Sequence, residues 1–142
     1  MIAVACDEDG VVALDAAEGQ RTDAPLAKAV LIEARDAVGT VRDVLGDKGF
    51  DSDAVRDVIL DDLDALPVIP NRKNRKEPWP WDDEMREIYK QRNRVERAFA
   101  KAKQFRRFAT RYEKLKDVYL GVARLVFGFI HVRKLAETVN TA

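Results

Sequence analysis

Apolar and polar positions alternate at the start of the chain and then change to a helical rhythm. Ile2–Asp7 and Val11–Ala16 flank Glu8-Asp9-Gly10, which predicts a β-hairpin. A polar loop, Gly19-Gln20-Arg21-Thr22-Asp23, follows. Asp23 as N-cap and Pro25 in the first turn then open a helix to about Ala37, ended by Gly39-Thr40. Val41–Leu45 reads as a short strand running into Gly46-Asp47-Lys48-Gly49-Phe50-Asp51, so Asp47 falls at the strand's carboxyl end. Ser52 or Asp51 is placed to cap a helix over Asp53–Leu63, where Val55, Val58, Ile59 and Leu63 keep helical spacing. Leu66–Ile69 is a brief strand that Pro67 makes irregular or sends to an edge.

Proline, asparagine and charge over residues 70–81 predict an extended, exposed loop. Asp82-Asp83-Glu84 then opens a long helix with acids in its first turn, running to about Phe105. Arg106–Tyr112 reads as a basic connector and Glu113–Thr138 as a largely buried last helix. The order predicts one α/β domain with helices covering a mixed sheet, without internal repeats. Three parts follow: strands and helices over 1–70, a basic loop and long helix over 71–116, and the last helix over 117–142.

Charge divides this picture. The formal net charge is zero over 142 residues, 46% of them hydrophobic. Residues 1–66 carry 16 acidic and 6 basic side chains, about −10, and residues 71–116 carry 7 acidic and 16 basic, about +9. A basic block interleaved with aromatics suits a phosphate backbone, and equally suits a salt-bridged pair of halves. The single cysteine, Cys6, excludes an intrachain disulfide. The apolar run from Val118 to Val132 is broken by Arg124 and His131 and is too short to span a bilayer, which predicts a cytoplasmic protein without a membrane partner.

Candidate chemistry concentrates in the long helix. At about 100° per residue, Tyr89, Arg92, Glu96 and Lys103 project from one narrow face, beside an apolar strip of Ile88, Val95, Phe99 and Ala102. A carboxylate between cations at the margin of a buried seam suits phosphate and metal, or is a solvated face with ion pairs. Asp51 and Asp53 read as helix-capping residues. Trp79 and Trp81 either stack on unpaired bases or anchor their loop to the core. His131 reads as a core or interface residue and Cys6 as a small core residue.

The spacing Tyr89, Arg92, Glu96, Lys103 resembles the helical signature of the DDE transposases of bacterial insertion sequences, in the group around insertion-sequence families four and five. The stretches 19–23, 46–52, 70–76 and 103–112 resemble that group too, in its order. The resemblance implies an RNase H-like fold, incomplete at its N-terminus, since a further aspartate belongs on a strand before the first one here. It implies that Asp47 and Glu96 are catalytic and hold Mg²⁺ or Mn²⁺, hard ions that want carboxylate oxygens. Two such ions drive in-line displacement at phosphorus. Asp7 and Asp15 of the hairpin are poor substitutes for the further aspartate, Asp7 being read as a turn residue.

The same resemblance implies that Arg92 and Lys103 meet phosphate and that Tyr89 lies along the DNA backbone. Arg72, Lys73, Arg75 and Lys76 of the basic loop, with Lys101, Arg106, Arg107 and Arg111, are further candidate DNA contacts that give affinity without sequence readout. The implied partners are DNA, as transposon ends and target, and either a second copy or a polypeptide from an upstream reading frame. Two other readings stay open: a catalytically dead DNA-binding or regulatory remnant, and an unrelated RNase H-like nuclease. An incomplete sheet is expected to expose apolar surface and to favour self-association.

Overall fold

The structure is a computed structural model, and it describes residues 2–7, 10–16, 23–110 and 115–141. Strands β1 (Ile2–Cys6) and β2 (Val11–Ala16) pair antiparallel with Val4 opposite Leu14, and a bulge falls between Ala5 and Cys6. The predicted hairpin is therefore present, although Glu8 and Asp9 lie outside the described residues. Helix α1 (Asp23–Val38) follows and ends at Gly39, whose φ of +82° is a left-handed value that glycine adopts without penalty. Strand β3 (Asp43–Leu45) pairs parallel with β4 (Leu66–Val68), Pro67 lying opposite Val44.

Between β3 and β4 the chain makes a 3₁₀ turn (Lys48–Phe50) and helix α2 (Asp53–Asp57), which widens into a π turn over Val58–Asp62. Ser52, not Asp51, caps α2, its Oγ accepting from the Val55 N–H at 3.3 Å.

Among the described residues the strands form two separate two-stranded sheets, β1-β2 and β3-β4, where a single mixed sheet was expected. β1 and β3 do not pair with each other, although residues of both line one open cleft.

The long helix predicted from 82 to 105 is divided. Asp82 caps α3 (Asp83–Tyr89), a 3₁₀ turn covers Lys90–Arg92, and α4 (Asn93–Ala102) and the short α5 (Arg106–Ala109) follow. No glycine or proline marks the break. Instead the Tyr89 ring is held from two sides, 5.4 Å from the Trp81 ring and 5.8 Å from the Arg92 guanidinium. The turn therefore departs from the regular helix that its residues favour.

Three apolar clusters hold the elements together. Ala3, Ala13, Leu26, Val30 and Ala34 join α1 to the hairpin. Val55, Ile59, Leu63 and Ile69 join α2 to β4 and to Ala27 of α1. Phe108 lies among Phe99, Tyr119 and Phe127, its ring 5.8 Å from that of Tyr119 and 5.5 Å from that of Phe127.

Helix α6 (Lys116–Thr141) buries Leu120, Ala123, Val126 and Phe127 against this last cluster. On its opposite side Leu125, Phe129, Val132, Leu135 and Val139 are exposed. The expectation of a largely buried last helix therefore holds for one face only. No helix among the described residues is long and apolar enough to cross a membrane.

Candidate functional site

Asp47 follows the β3 strand after Gly46 and caps the 3₁₀ turn. Its Oδ1 accepts the Gly49 N–H at 2.7 Å, which leaves Oδ2 as the oxygen nearer Arg92. Oδ2 lies 3.8 Å from Nη2 of Arg92, and Nη1 of the same guanidinium donates to Glu96 Oε1 at 2.9 Å. One cation thus spans carboxylates from positions 47 and 96. Both carboxylates stay accessible, their side chains 49% and 61% exposed, while Arg92 between them is 29% exposed.

The three residues line a cleft of about 1120 Å³ whose walls also include Lys103, Gln91 and Arg94. Apolar residues, Val30, Leu31 and Val44 among them, line it as well. Asp7 lines the cleft as well, but its Oδ1 accepts the Gly10 N–H at 2.9 Å, the turn role read from the sequence. Among the described residues no three His, Cys, Asp or Glu side chains come together as a metal-holding group. Cys6 lines the cleft too, where burial, helped by the Asp7 charge, pushes its thiol up to about 11. It is protonated and unreactive at neutral pH.

The turn bearing Asp47 is anchored from beneath. The Arg72 side chain donates from Nε to the Lys48 carbonyl at 2.7 Å and from Nη2 to the Gly49 carbonyl. The Arg72 backbone N–H donates to Asp51 Oδ2 at 2.5 Å. Asp51 Oδ1 accepts from Arg56 Nη2 at 2.9 Å and from Arg75 Nη1 at 2.9 Å, and Arg75 also pairs with Asp53. Arg56 donates in addition to the Ile69 carbonyl at 2.7 Å, and its guanidinium lies 5.0 Å from the centre of the Trp79 ring. Asn71 and Trp79 exchange two hydrogen bonds of 2.9 Å across the loop.

The basic loop is therefore tied to Asp51 through Arg72 and Arg75, while Arg72, Lys73, Asn74, Lys76, Glu77, Pro78 and Pro80 are exposed, as the sequence suggested. Asp51 is its hub, not a helix cap, and Trp79 and Trp81 pack on the chain itself.

The candidate DNA-contacting residues divide accordingly. Arg72 and Arg75 spend their donors on internal acceptors. Lys73, Lys76, Lys101, Lys103, Arg106 and Arg107 are exposed, and Arg111 lies outside the described residues. Arg56 escaped the sequence reading altogether. Its signal was a cation inside the apolar spacing of α2, five residues after Asp51.

The sequence matches the family described as the transposase DDE domain over residues 1–127. The chain belongs to the DDE transposase domain family. It is also similar to a putative transposase for insertion sequence element IS6501 from Brucella ovis, 30% identical over 115 residues, which cover 81% of this chain and 83% of that protein. No solved structure matches. Membership of a DDE transposase domain family links the chain to DNA transposition, as the signature over Tyr89–Lys103 implied.

Proposed function

We propose that this DDE transposase domain cleaves and joins DNA strands by metal-assisted phosphoryl transfer on an RNase H-like core, with Asp47 and Glu96 as the carboxylates that hold Mg²⁺ or Mn²⁺. The observation that carries the reading is Arg92 lying between them, because a site that already presents two carboxylate oxygens to one cation suits a hard divalent ion. Such an ion supplies an activated oxygen nucleophile and stabilises the leaving oxygen. Asp47 is oriented by the Gly49 N–H, which turns its second oxygen to the cleft. Arg92 offers a fork for a phosphate, and Lys103, on the same cleft, adds a compact charge. Tyr89 lies against Arg92 and limits where that guanidinium can swing. Lys73, Lys76, Arg106 and Arg107, all exposed, supply further contacts to the DNA backbone.

Two carboxylates suit one ion, so a second ion needs a further carboxylate, from a second copy or another polypeptide. The isolated chain is expected to nick DNA feebly and to transfer strands little or not at all. A second reading is a DNA-binding regulator without catalysis.

The test is nicking of a supercoiled duplex by the purified chain with Mn²⁺ or Mg²⁺. Loss of nicking in Glu96→Gln and Asp47→Asn supports the enzyme. Duplex binding with no ion-dependent nicking in any variant supports the regulator.

A further inference from the structure

We infer that the Arg92 guanidinium is an internal counter-cation that a divalent ion has to displace, and that a DNA phosphate releases it, so DNA and metal bind cooperatively. The inference rests on the reading of Asp47 and Glu96 as metal ligands. Its own support is geometric. Of the two Asp47 oxygens, Oδ1 is engaged by the Gly49 N–H, and the remaining Oδ2 is the one that faces Arg92. Glu96 Oε1 is engaged by the same guanidinium at 2.9 Å.

A divalent ion joining those two oxygens would have to sit where the guanidinium now lies, at a contact distance of about 2.1 Å for Mg²⁺. Two cations at that spacing repel strongly, so the two states exclude each other. Arg92 has somewhere else to go. It ends the 3₁₀ turn just before α4 and is 29% exposed, so its guanidinium can swing toward solvent.

A phosphate is the better partner for a planar fork, because it accepts two parallel N–H bonds and brings its own negative charge. When phosphate takes the guanidinium, Asp47 and Glu96 lose that counter-charge, and the ion replaces it. Linkage then requires that metal tightens DNA by the same factor that DNA tightens metal. The resting site is in this way kept closed to metal until the strand to be cut has arrived.

The experiment measures Mn²⁺ affinity of the full chain by the paramagnetic resonance of free Mn²⁺, with and without a short duplex. Wild type, Arg92→Gln, Arg92→Lys and Glu96→Gln are compared. Without DNA, Arg92→Gln is expected to bind Mn²⁺ about tenfold more tightly than wild type, with Arg92→Lys between the two. The duplex is expected to tighten Mn²⁺ in wild type about tenfold and in Arg92→Gln by a clearly smaller factor. Mn²⁺ binding that depends on Glu96, but that Arg92→Gln leaves unchanged or weakens, overturns this inference alone. No Glu96-dependent Mn²⁺ binding in any variant overturns the metal reading and this inference with it.

Discussion

Arg56 and Asp51 meet at 2.9 Å with their side chains 1% and 0% exposed, a charge pair cut off from solvent beneath the turn that carries Asp47. Removing one partner of such a pair strands the other in a medium that cannot solvate it. Asp51→Asn also loosens Arg75 and the Arg72 backbone N–H. Urea unfolding at neutral pH is expected to show a loss of about 3–5 kcal/mol.

The same group makes stability pH-dependent. Burial works to raise the Asp51 carboxyl, but the Arg72 backbone N–H and the Arg56 and Arg75 guanidiniums outweigh it and hold the group below its ordinary value. A carboxylate depressed by folding contributes fully above its unfolded value of about 3.9 and loses that contribution as pH falls through the folded value. Wild type should therefore lose stability on acidification below about pH 4, and Asp51→Asn should lose less over the same range. Thermal melts between neutral and acid pH check the sign.

Arg72 and its neighbours Lys73 and Lys76 are expected to separate in their effects. Arg72→Gln removes two bonds to carbonyls beside Asp47 and should cost about 1–3 kcal/mol of stability. Lys73→Gln and Lys76→Gln should leave stability alone. Each should lower the slope of log affinity for duplex DNA against log salt by about 1, if it meets a phosphate. Fluorescence anisotropy across a salt series, beside urea melts, reads both quantities.

Phe108 holds α5 to α6 through stacked and edge contacts with Tyr119 and Phe127. Phe108→Ala should cost about 3–5 kcal/mol, since the surrounding rings cannot collapse onto the space it leaves. Loss of cooperativity in the thermal melt would show that α6 detaches before the rest of the domain.

The outer side of α6 predicts association. Leu125, Val132 and Val139 lie exposed on the face opposite its buried contacts, a longer apolar stripe than a monomer ordinarily leaves in water. Light scattering should show an apparent mass that rises with concentration. Leu125→Glu with Val132→Glu should lower that rise without lowering the melting temperature, and an unchanged rise would place the association elsewhere.

What the sequence disclosed was local. The hairpin around Gly10, the start of α1, Asp47 at the end of β3 and the capping Ser52 each follow from a few adjacent residues. The helical character around the signature was legible but not its division, and the Arg92 guanidinium lies near carboxylates from positions 47 and 96. The hub at Asp51 was not legible, because its partners lie 5, 21 and 24 residues away and no local pattern announces them. The 3₁₀ turn at Lys90–Arg92 was hidden for the same reason. The residues there favour helix, and the contacts that Tyr89 and Arg92 make with Trp81 and Asp47 lie outside that stretch.

The packing of Trp79 on Arg56 and of Trp81 on Tyr89 places the chain's two indoles at different joints, one over the buried charge hub and one at the start of the signature helix. Each is a built-in optical gauge: Trp81→Phe leaves emission from the loop alone, and Trp79→Phe leaves emission from the helix alone. A titration with duplex DNA followed in the two single-indole chains would then tell, without any added label, which joint moves when the strand arrives.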